Sequence, residues 1–91
     1  MRAVRPARLP PVAPRSPAHV ALGRAIAAAR RRRRLSQGQL AARAGMDRTF
    51  LGGIERGAQN PSFGKLLRIA DALGVAPSEL VAEAERIARD L

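Results

Sequence analysis

Residues 35–75 are LSQGQLAARAGMDRTFLGGIERGAQNPSFGKLLRIADALGV, and this stretch decides the fold. Ser36 starts a capping box, since a glutamine follows three residues later and can reach back to the serine backbone. Gly45 ends the helix that begins there, because glycine tolerates the positive φ of a helix C-terminus. Asp47 then provides the N-cap of another helix, which ends at Gly57. The spacing predicts two short helices that are joined by a tight turn and cannot lie parallel.

Apolar residues recur at helical spacing in this pair and predict its buried face. They are Leu40, Ala41 and Ala44 in the first helix and Met46, Leu51 and Ile54 in the second. The small Ala41 allows the helices to cross closely, and the aliphatic side chains hold the second helix at a steep angle. This construction is typical of a helix-turn-helix, whose second helix projects into the major groove of DNA. The alternative is a plain helical bundle with a glycine turn.

The flanking sequence extends the pattern to five helices, and no segment alternates with period two, so we predict an all-α fold. A first helix is expected over about residues 18–34. The fourth helix has Ser62 as its N-cap and ends at Gly74, and the fifth has Pro77 in its first turn. The predicted core stripe of the fourth helix is Phe63, Leu66, Leu67, Ala70 and Leu73. The apolar stripe of the fifth is Leu80, Val81, Ala84, Ile87, Ala88 and Leu91.

Residues 35–75 resemble the Cro and phage-repressor type of helix-turn-helix protein, also called the xenobiotic-response-element family. The most specific segments are LSQGQLAARAG, IERGAQNPS and LLRIADALGV, which occur in the family's order. The likeness also extends over the first helix and the start of the fifth. It implies an all-α, five-helix repressor-like bundle that contains the helix-turn-helix and binds DNA as a dimer. Most members of the family are transcriptional regulators.

The resemblance also assigns contacts with DNA to positions of this sequence. Gln37 matches a residue that opens the second helix and holds a phosphate, and Arg43 lies near the DNA backbone. Arg48 and Thr49 match positions that reach base edges; an arginine fork binds O6 and N7 of guanine together. A phosphate contact is the alternative for Arg48, and the core is the alternative for Phe50. The predicted DNA-binding residues are Gln37, Arg43, Arg48, Thr49, Phe50, Gly53 and Arg56.

Glycines inside the second helix of the pair depart from the family pattern. Gly52 and Gly53 stand where members often present polar side chains, and Gly53 matches a base-contacting position. Each glycine lowers helix stability by about 1 kcal/mol relative to alanine. We therefore expect sparse base contact, carried by Arg48, Thr49 and the shape of the DNA.

The charge is concentrated at the N-terminal end of the chain. Residues 1–34 hold ten Arg and no acid, whereas residues 35–91 hold seven Lys plus Arg and seven Asp plus Glu. This excess indicates a polyanionic partner, either nucleic acid or an acidic membrane surface. Five prolines within residues 1–17 prevent an amphipathic helix, so we predict a disordered basic arm there and a DNA-binding domain over residues 18–91. A solvated tail without function is the alternative.

The arginine run of residues 30–34 cannot lie on one helix face, because successive helical residues advance by about 100°. Arg30 falls on the same side as Leu22 and Ile26, and an arginine on a half-buried face needs an acid. The family resemblance pairs it with Glu55. We therefore expect a structural Arg30–Glu55 ion pair, while the other arginines face solvent or phosphates.

Composition excludes several classes of function. The chain has no Cys, one His and two Phe, so we expect no disulfide, no metal site, no cofactor and no enzymatic activity. His19 is expected to be solvated. No apolar run approaches the roughly 18 residues that span a bilayer, so we expect a soluble, cytoplasmic and nucleoid-associated protein without a membrane partner.

These observations predict a sequence-specific regulator of double-stranded DNA, a repressor that acts as a homodimer on a two-fold symmetric operator. The expected dimerisation residues are Leu80, Ala84, Ile87 and Leu91. The alternative is an antitoxin or bridging protein whose fifth helix binds a protein partner. A dimer would pair this helix with itself, whereas a bridging protein would stay monomeric until its partner arrived.

Overall fold

The computed structural model describes residues 16–91, which form five α-helices. The helices are α1 (Pro17–Arg32), α2 (Gln37–Ala44), α3 (Arg48–Glu55), α4 (Phe63–Leu73) and α5 (Pro77–Arg89). The all-α prediction is confirmed, and the described residues contain no strand. Most of the predicted arm, residues 1–15, lies outside the described residues. Ser16 and Pro17 belong to α1, as its N-cap and its first residue.

The helix ends follow the local signals in the sequence. Ser36, Asp47 and Ser62 each accept a hydrogen bond from the backbone amide three residues later, as expected of N-caps. Gly45 ends α2 with a φ of 68°. The end of α1 differs from the prediction, because Arg34 has a φ of 57° and cannot continue a right-handed helix. The helix therefore ends at Arg32.

The core lies where the five helices meet. Its fully buried large side chains are Ile26, Leu40, Leu51, Ile54, Ile69 and Leu73. Helix α3 packs against both α1 and α2, and α5 lies along α1. This arrangement buries Leu51 and Ile54 of α3 and leaves Arg48 and Thr49, in its first turn, exposed. None of the helices in this part of the chain is long and apolar enough to cross a membrane.

The predicted core stripe of α4 is wrong at two positions. Phe63 is 72% exposed and Leu67 is 40% exposed. The buried face of α4 consists of Ile69, Ala70 and Leu73, with Leu66 partly buried beside them. This i, i+3, i+4, i+7 set covers a single helix face, which places Leu67 outside it.

His19 is also placed differently from the prediction. It is 5% exposed, and its Nδ1 lies 2.7 Å from Oγ of Ser16. Because α1 already begins at Pro17, His19 belongs to the first helical turn rather than to a solvated arm. The expectation of a solvated side chain is wrong.

Candidate nucleic-acid interface

Helices α2 and α3 form the predicted pair, joined by the turn at Gly45. The amide of Met46 donates to the carbonyl of Ala41 over 2.9 Å, which closes the end of α2. Asp47 caps α3, so the first turn of α3 carries Arg48 and Thr49, and both are exposed. The opposite face of α3 is buried through Leu51 and Ile54. The helix pair thus exposes the first turn of α3, while the opposite face of this helix is fixed in the core.

A polar network ties α3 to α1 and α2. Arg30 Nε lies 2.7 Å from Glu55 Oε2, and Arg30 Nη2 donates to Glu55 Oε1 over 3.0 Å. The two side chains are 12% and 5% exposed, and Arg30 Nη1 also donates to the carbonyl of Leu35 over 2.8 Å. The hydrogen bond to Glu55 is the main cause that raises the pKa of Arg30 above its ordinary value. Burial lowers this pKa, and the negative charge of Glu55 raises it further. The pair is therefore charged, nearly buried and bidentate.

Gln37 takes part in the same network. Its Nε2 donates to Glu55 Oε1 over 2.9 Å, and the residue is half-buried. The family resemblance assigns Gln37 to a phosphate contact, and in the structure its side-chain amide donates to Glu55. In this arrangement Gln37 holds the start of α2 against the end of α3.

A glycine in α1 allows a close backbone contact that the sequence reasoning missed. A Cβ added to Gly23 would lie 2.6 Å from the carbonyl oxygen of Glu55, and the carbonyl oxygen of Ile54 is nearer still. The last turn of α3 therefore packs directly on the α1 backbone. The available sequence signal was a single glycine inside an otherwise apolar helix face.

The exposed basic residues of the pair are Arg43, Arg48 and Arg56. A Cβ at Gly38 would lie 3.6 Å from Cδ of Arg48, so the arginine stem passes close to the first turn of α2. Arg48 and Thr49 lie together on the first turn of α3, while Arg43 belongs to α2 and Arg56 follows the end of α3. The helix pair thus carries three exposed guanidinium groups, one on α2, one at the start of α3 and one just after its end.

Phe50 is half-buried and packs against the hydrophobic core. Nζ of Lys65 lies 5.1 Å from the centre of the Phe50 ring, which is within the range of a cation–π contact. Of the two interpretations drawn from the sequence, the structure favours packing in the core for this ring.

Side chains of neighbouring residues cover the two adjacent glycines of α3. Gly52 and Gly53 are both buried, although they are four residues after Arg48 and Thr49 and so share their side of the helix. A Cβ at Gly52 would lie 3.2 Å from Nη1 of Arg56. At Gly53 it would lie 2.6 Å from Cγ of Gln59. Side chains from outside α3 therefore occupy the space that the two glycines leave.

The predicted dimerisation residues do not share one surface. Leu80 is 3% exposed and belongs to the core, so its assignment to a dimer contact is wrong. Ala84 and Ile87 are half-buried, and Leu91 is 52% exposed. Leu80 lies near the start of α5, on the side of the helix that packs against the bundle, and it is therefore buried.

The apolar surface that remains on the outside includes Val81, which is 43% exposed. Val81, Ala84 and Ala88 of α5 line a shallow apolar groove together with Leu22 of α1 and Leu66 of α4. The exposed Leu67 follows Leu66 on α4. The outer apolar face of α5 is thus centred on Val81 and Ala84.

Among residues 16–91 no three His, Asp or Glu side chains come together as a metal would require. His19 stands apart from the acids and bonds with Ser16.

Known proteins are similar to this chain in sequence and in fold. The sequence model of the helix-turn-helix domain family matches residues 21–84 of this chain. The immunity repressor of Bacillus phage phi105 is 44% identical over 62 residues, which cover 68% of this chain and 43% of the repressor. The chain thus spans less than half the length of that relative. An uncharacterized HTH-type transcriptional regulator, y4dJ of Sinorhizobium fredii, is 40% identical over 66% of this chain and 78% of its own length.

A solved structure agrees with these matches. The restriction-modification controller protein C.AhdI from Aeromonas hydrophila is 41% identical, with a TM-score of 0.66 over 67% of this chain and 92% of its own. The resemblance drawn from residues 35–75 is confirmed. The chain belongs to the helix-turn-helix domain family, in its Cro and phage-repressor type.

Proposed function

We propose that this protein is a transcriptional regulator that binds double-stranded DNA by placing α3 in the major groove. The observation that carries the proposal is the exposed first turn of α3, with Arg48 and Thr49, on a helix whose other side is held by α1 and α2. A fixed helix with an arginine at its outer end suits bidentate contact with guanine. The regulatory role is supported by relatives described as a repressor, a transcriptional regulator and a controller protein.

The residues of the candidate interface have separate roles in this proposal. Arg48 contacts guanine, and Thr49 contacts a neighbouring base by its hydroxyl or methyl group. Arg43 of α2 and Arg56, which follows the end of α3, bind phosphates and set the position of the helix. Gln37 is a positioning residue, since its amide donates to Glu55. The four arginines within residues 1–15 add affinity without sequence preference.

The test compares two arginines on the same unit. Duplexes are first selected from a random pool with the full chain, and the preferred site and a scrambled duplex are then titrated over a salt series. We expect Arg48→Ala to weaken the preferred site by about 1 to 3 kcal/mol and to relax specificity at one base pair. Arg43→Ala, the matched control, should weaken both duplexes by a similar factor and reduce the salt slope by about 1. Equal weakening of both duplexes by Arg48→Ala would make Arg48 a phosphate contact.

We further propose a homodimer that represses from a two-fold symmetric operator, with half-site centres about 10 base pairs apart. Support comes from the outer apolar face of α5, where Val81 and Ala84 line a groove with Leu22 and Leu66. An exposed apolar surface of this kind is stabilised by a second protein surface. Because Leu80 is in the core, Val81 replaces it in the proposed contact.

Sedimentation of the full chain tests the dimer. Val81→Asp should yield a monomer that binds the operator more weakly, because a carboxylate would lie in the apolar contact. Ala82→Asp, at the next exposed position of α5, is the control and should remain dimeric. If the wild type is monomeric at micromolar concentration with and without DNA, the dimer is excluded. That outcome would favour a bridging protein or antitoxin, whose α5 binds another protein.

A further inference from the structure

Gln59 lies over the position where α3 lacks a side chain. Gly53 is four residues after Thr49 and therefore shares its side of α3. A Cβ at Gly53 would lie 2.6 Å from Cγ and 3.4 Å from Cβ of Gln59. The stem of Gln59 thus occupies the volume that a side chain at position 53 would fill.

The backbone holds Gln59 in this place. The carbonyl oxygen of Gly53 accepts from the amide of Ala58 over 2.9 Å and from the amide of Gln59 over 3.1 Å. Gly57, with a φ of 78°, turns the chain back toward α3 just before these two residues. Because both hydrogen bonds end on Gly53 itself, the position of Gln59 is coupled to that of α3. The start of the loop is therefore fixed to the end of α3.

The chemistry of the side chain fits contact with a base. Gln59 is exposed, and a carboxamide can donate to N7 and accept from N6 of adenine in the major groove. Arg48 and Thr49 are one turn or more away on the same helix side, so Gln59 extends their exposed surface toward the end of α3. We propose that Gln59 supplies, from the loop, the base-contacting side chain that α3 lacks at position 53, and that it recognises adenine. This inference rests on the proposed binding of α3 in the major groove.

Selection of duplexes from a random pool tests this inference with the full chain and three variants. We expect the wild-type consensus to contain an adenine, one per half-site, that Gln59→Ala no longer selects. Gly53→Ala should lose the same preference, because its Cβ would displace the Gln59 stem. Asn60→Ala, at the next exposed loop position, is the control and should keep it. Circular dichroism of each variant tests whether the helices remain formed.

A chemical change in the DNA sharpens the test. Replacing that adenine by 7-deazaadenine removes the N7 acceptor and should weaken wild-type binding about tenfold. Gln59→Ala should show no further loss on the modified duplex, because its contact with N7 is already absent.

Each other outcome overturns the inference. If Gln59→Ala weakens all duplexes by the same factor, Gln59 binds a phosphate. If Gln59→Ala leaves the consensus unchanged, Gln59 does not recognise a base. If Gly53→Ala retains the adenine preference that Gln59→Ala loses, Gln59 contacts the base without replacing a side chain at position 53. If the wild type selects no consensus sequence at all, the proposed function itself is refuted. This result differs from the outcomes above, because each of them presupposes that the wild type selects a consensus.

Discussion

Two glycines lie where α3 meets its surroundings, Gly23 of α1 on its buried side and Gly53 of α3 itself on the other, and their surroundings differ. At the junction of α1 and α3, Gly23 lies against the carbonyl oxygens of Ile54 and Glu55. On the exposed side, Gly53 lies beneath the side chain of Gln59. Backbone atoms of a packed helix cannot move without moving the helix, whereas a side chain can rotate to another staggered position. The contacts on the buried side of α3 therefore fix the position of the helix. The contacts on its other side can change without loss of the fold.

The charged groups show the same difference. Arg30 and Glu55 at the junction are nearly buried and share two hydrogen bonds. Arg86 and Glu83 of α5 also pair, but there the arginine side chain is 65% exposed. Buried pairs lose much more stability than exposed pairs when one member is removed, because the remaining charge stays without a partner.

The largest expected effect is on stability, at the buried ion pair. Glu55→Ala should lower the free energy of unfolding by about 3 kcal/mol or more, since Arg30 would lose its charged partner and Gln37 its acceptor. Glu83→Ala removes the exposed pair and should cost less than about 1 kcal/mol. Thermal and urea unfolding of the two variants measure the difference. Small, equal effects would show that the junction does not depend on its charges.

A smaller loss is expected from filling the space at Gly23. Gly23→Ala would press a methyl group against two carbonyl oxygens, and we expect a destabilisation of about 1 to 3 kcal/mol. Gly64→Ala in α4 is the control, because only Ser62 Oγ, at 4.0 Å, would be near its Cβ. That variant should gain up to about 1 kcal/mol from helix propensity. A Gly23→Ala protein as stable as the wild type would contradict the backbone contact between α1 and α3.

The smallest expected change in stability is at Gly53. Gly53→Ala gains helix propensity but has to displace Gln59, so we expect a net change within about 1 kcal/mol. The same unfolding experiments measure it beside Gly23→Ala. A loss as large as that of Gly23→Ala would mean that Gln59 is held as firmly as a backbone, and the contrast between the two sides of α3 would disappear.

Local signals in the sequence predicted the helices well. Ser36, Asp47 and Ser62 cap the helices that the sequence assigned to them, and Gly45 makes the turn between α2 and α3. These signals act within three or four residues, so their physical basis is present in the sequence alone. The family resemblance, carried by residues 35–75, supplied the partner of Arg30, which local spacing left open.

The candidate interface was less predictable. The exposed Arg48 and Thr49 follow directly from the cap at Asp47, and their position at the start of α3 was expected. The cover over Gly52 and Gly53 was not, because it depends on where the chain goes after Gly57. Glycine in a helix predicts a missing side chain, but it does not predict which neighbour fills the space.

Helix order, most helix ends and the helix-turn-helix itself were decided by short-range chemistry, namely caps, glycine turns and apolar spacing. The tertiary structure alone decided that Leu80 belongs to the core, that Phe63 faces solvent, and that Gly23 lies under the end of α3. The same holds for the placement of Gln59 on Gly53. An amphipathic pattern shows that a helix has an apolar side, but the packing of neighbouring helices determines how far round that side is covered.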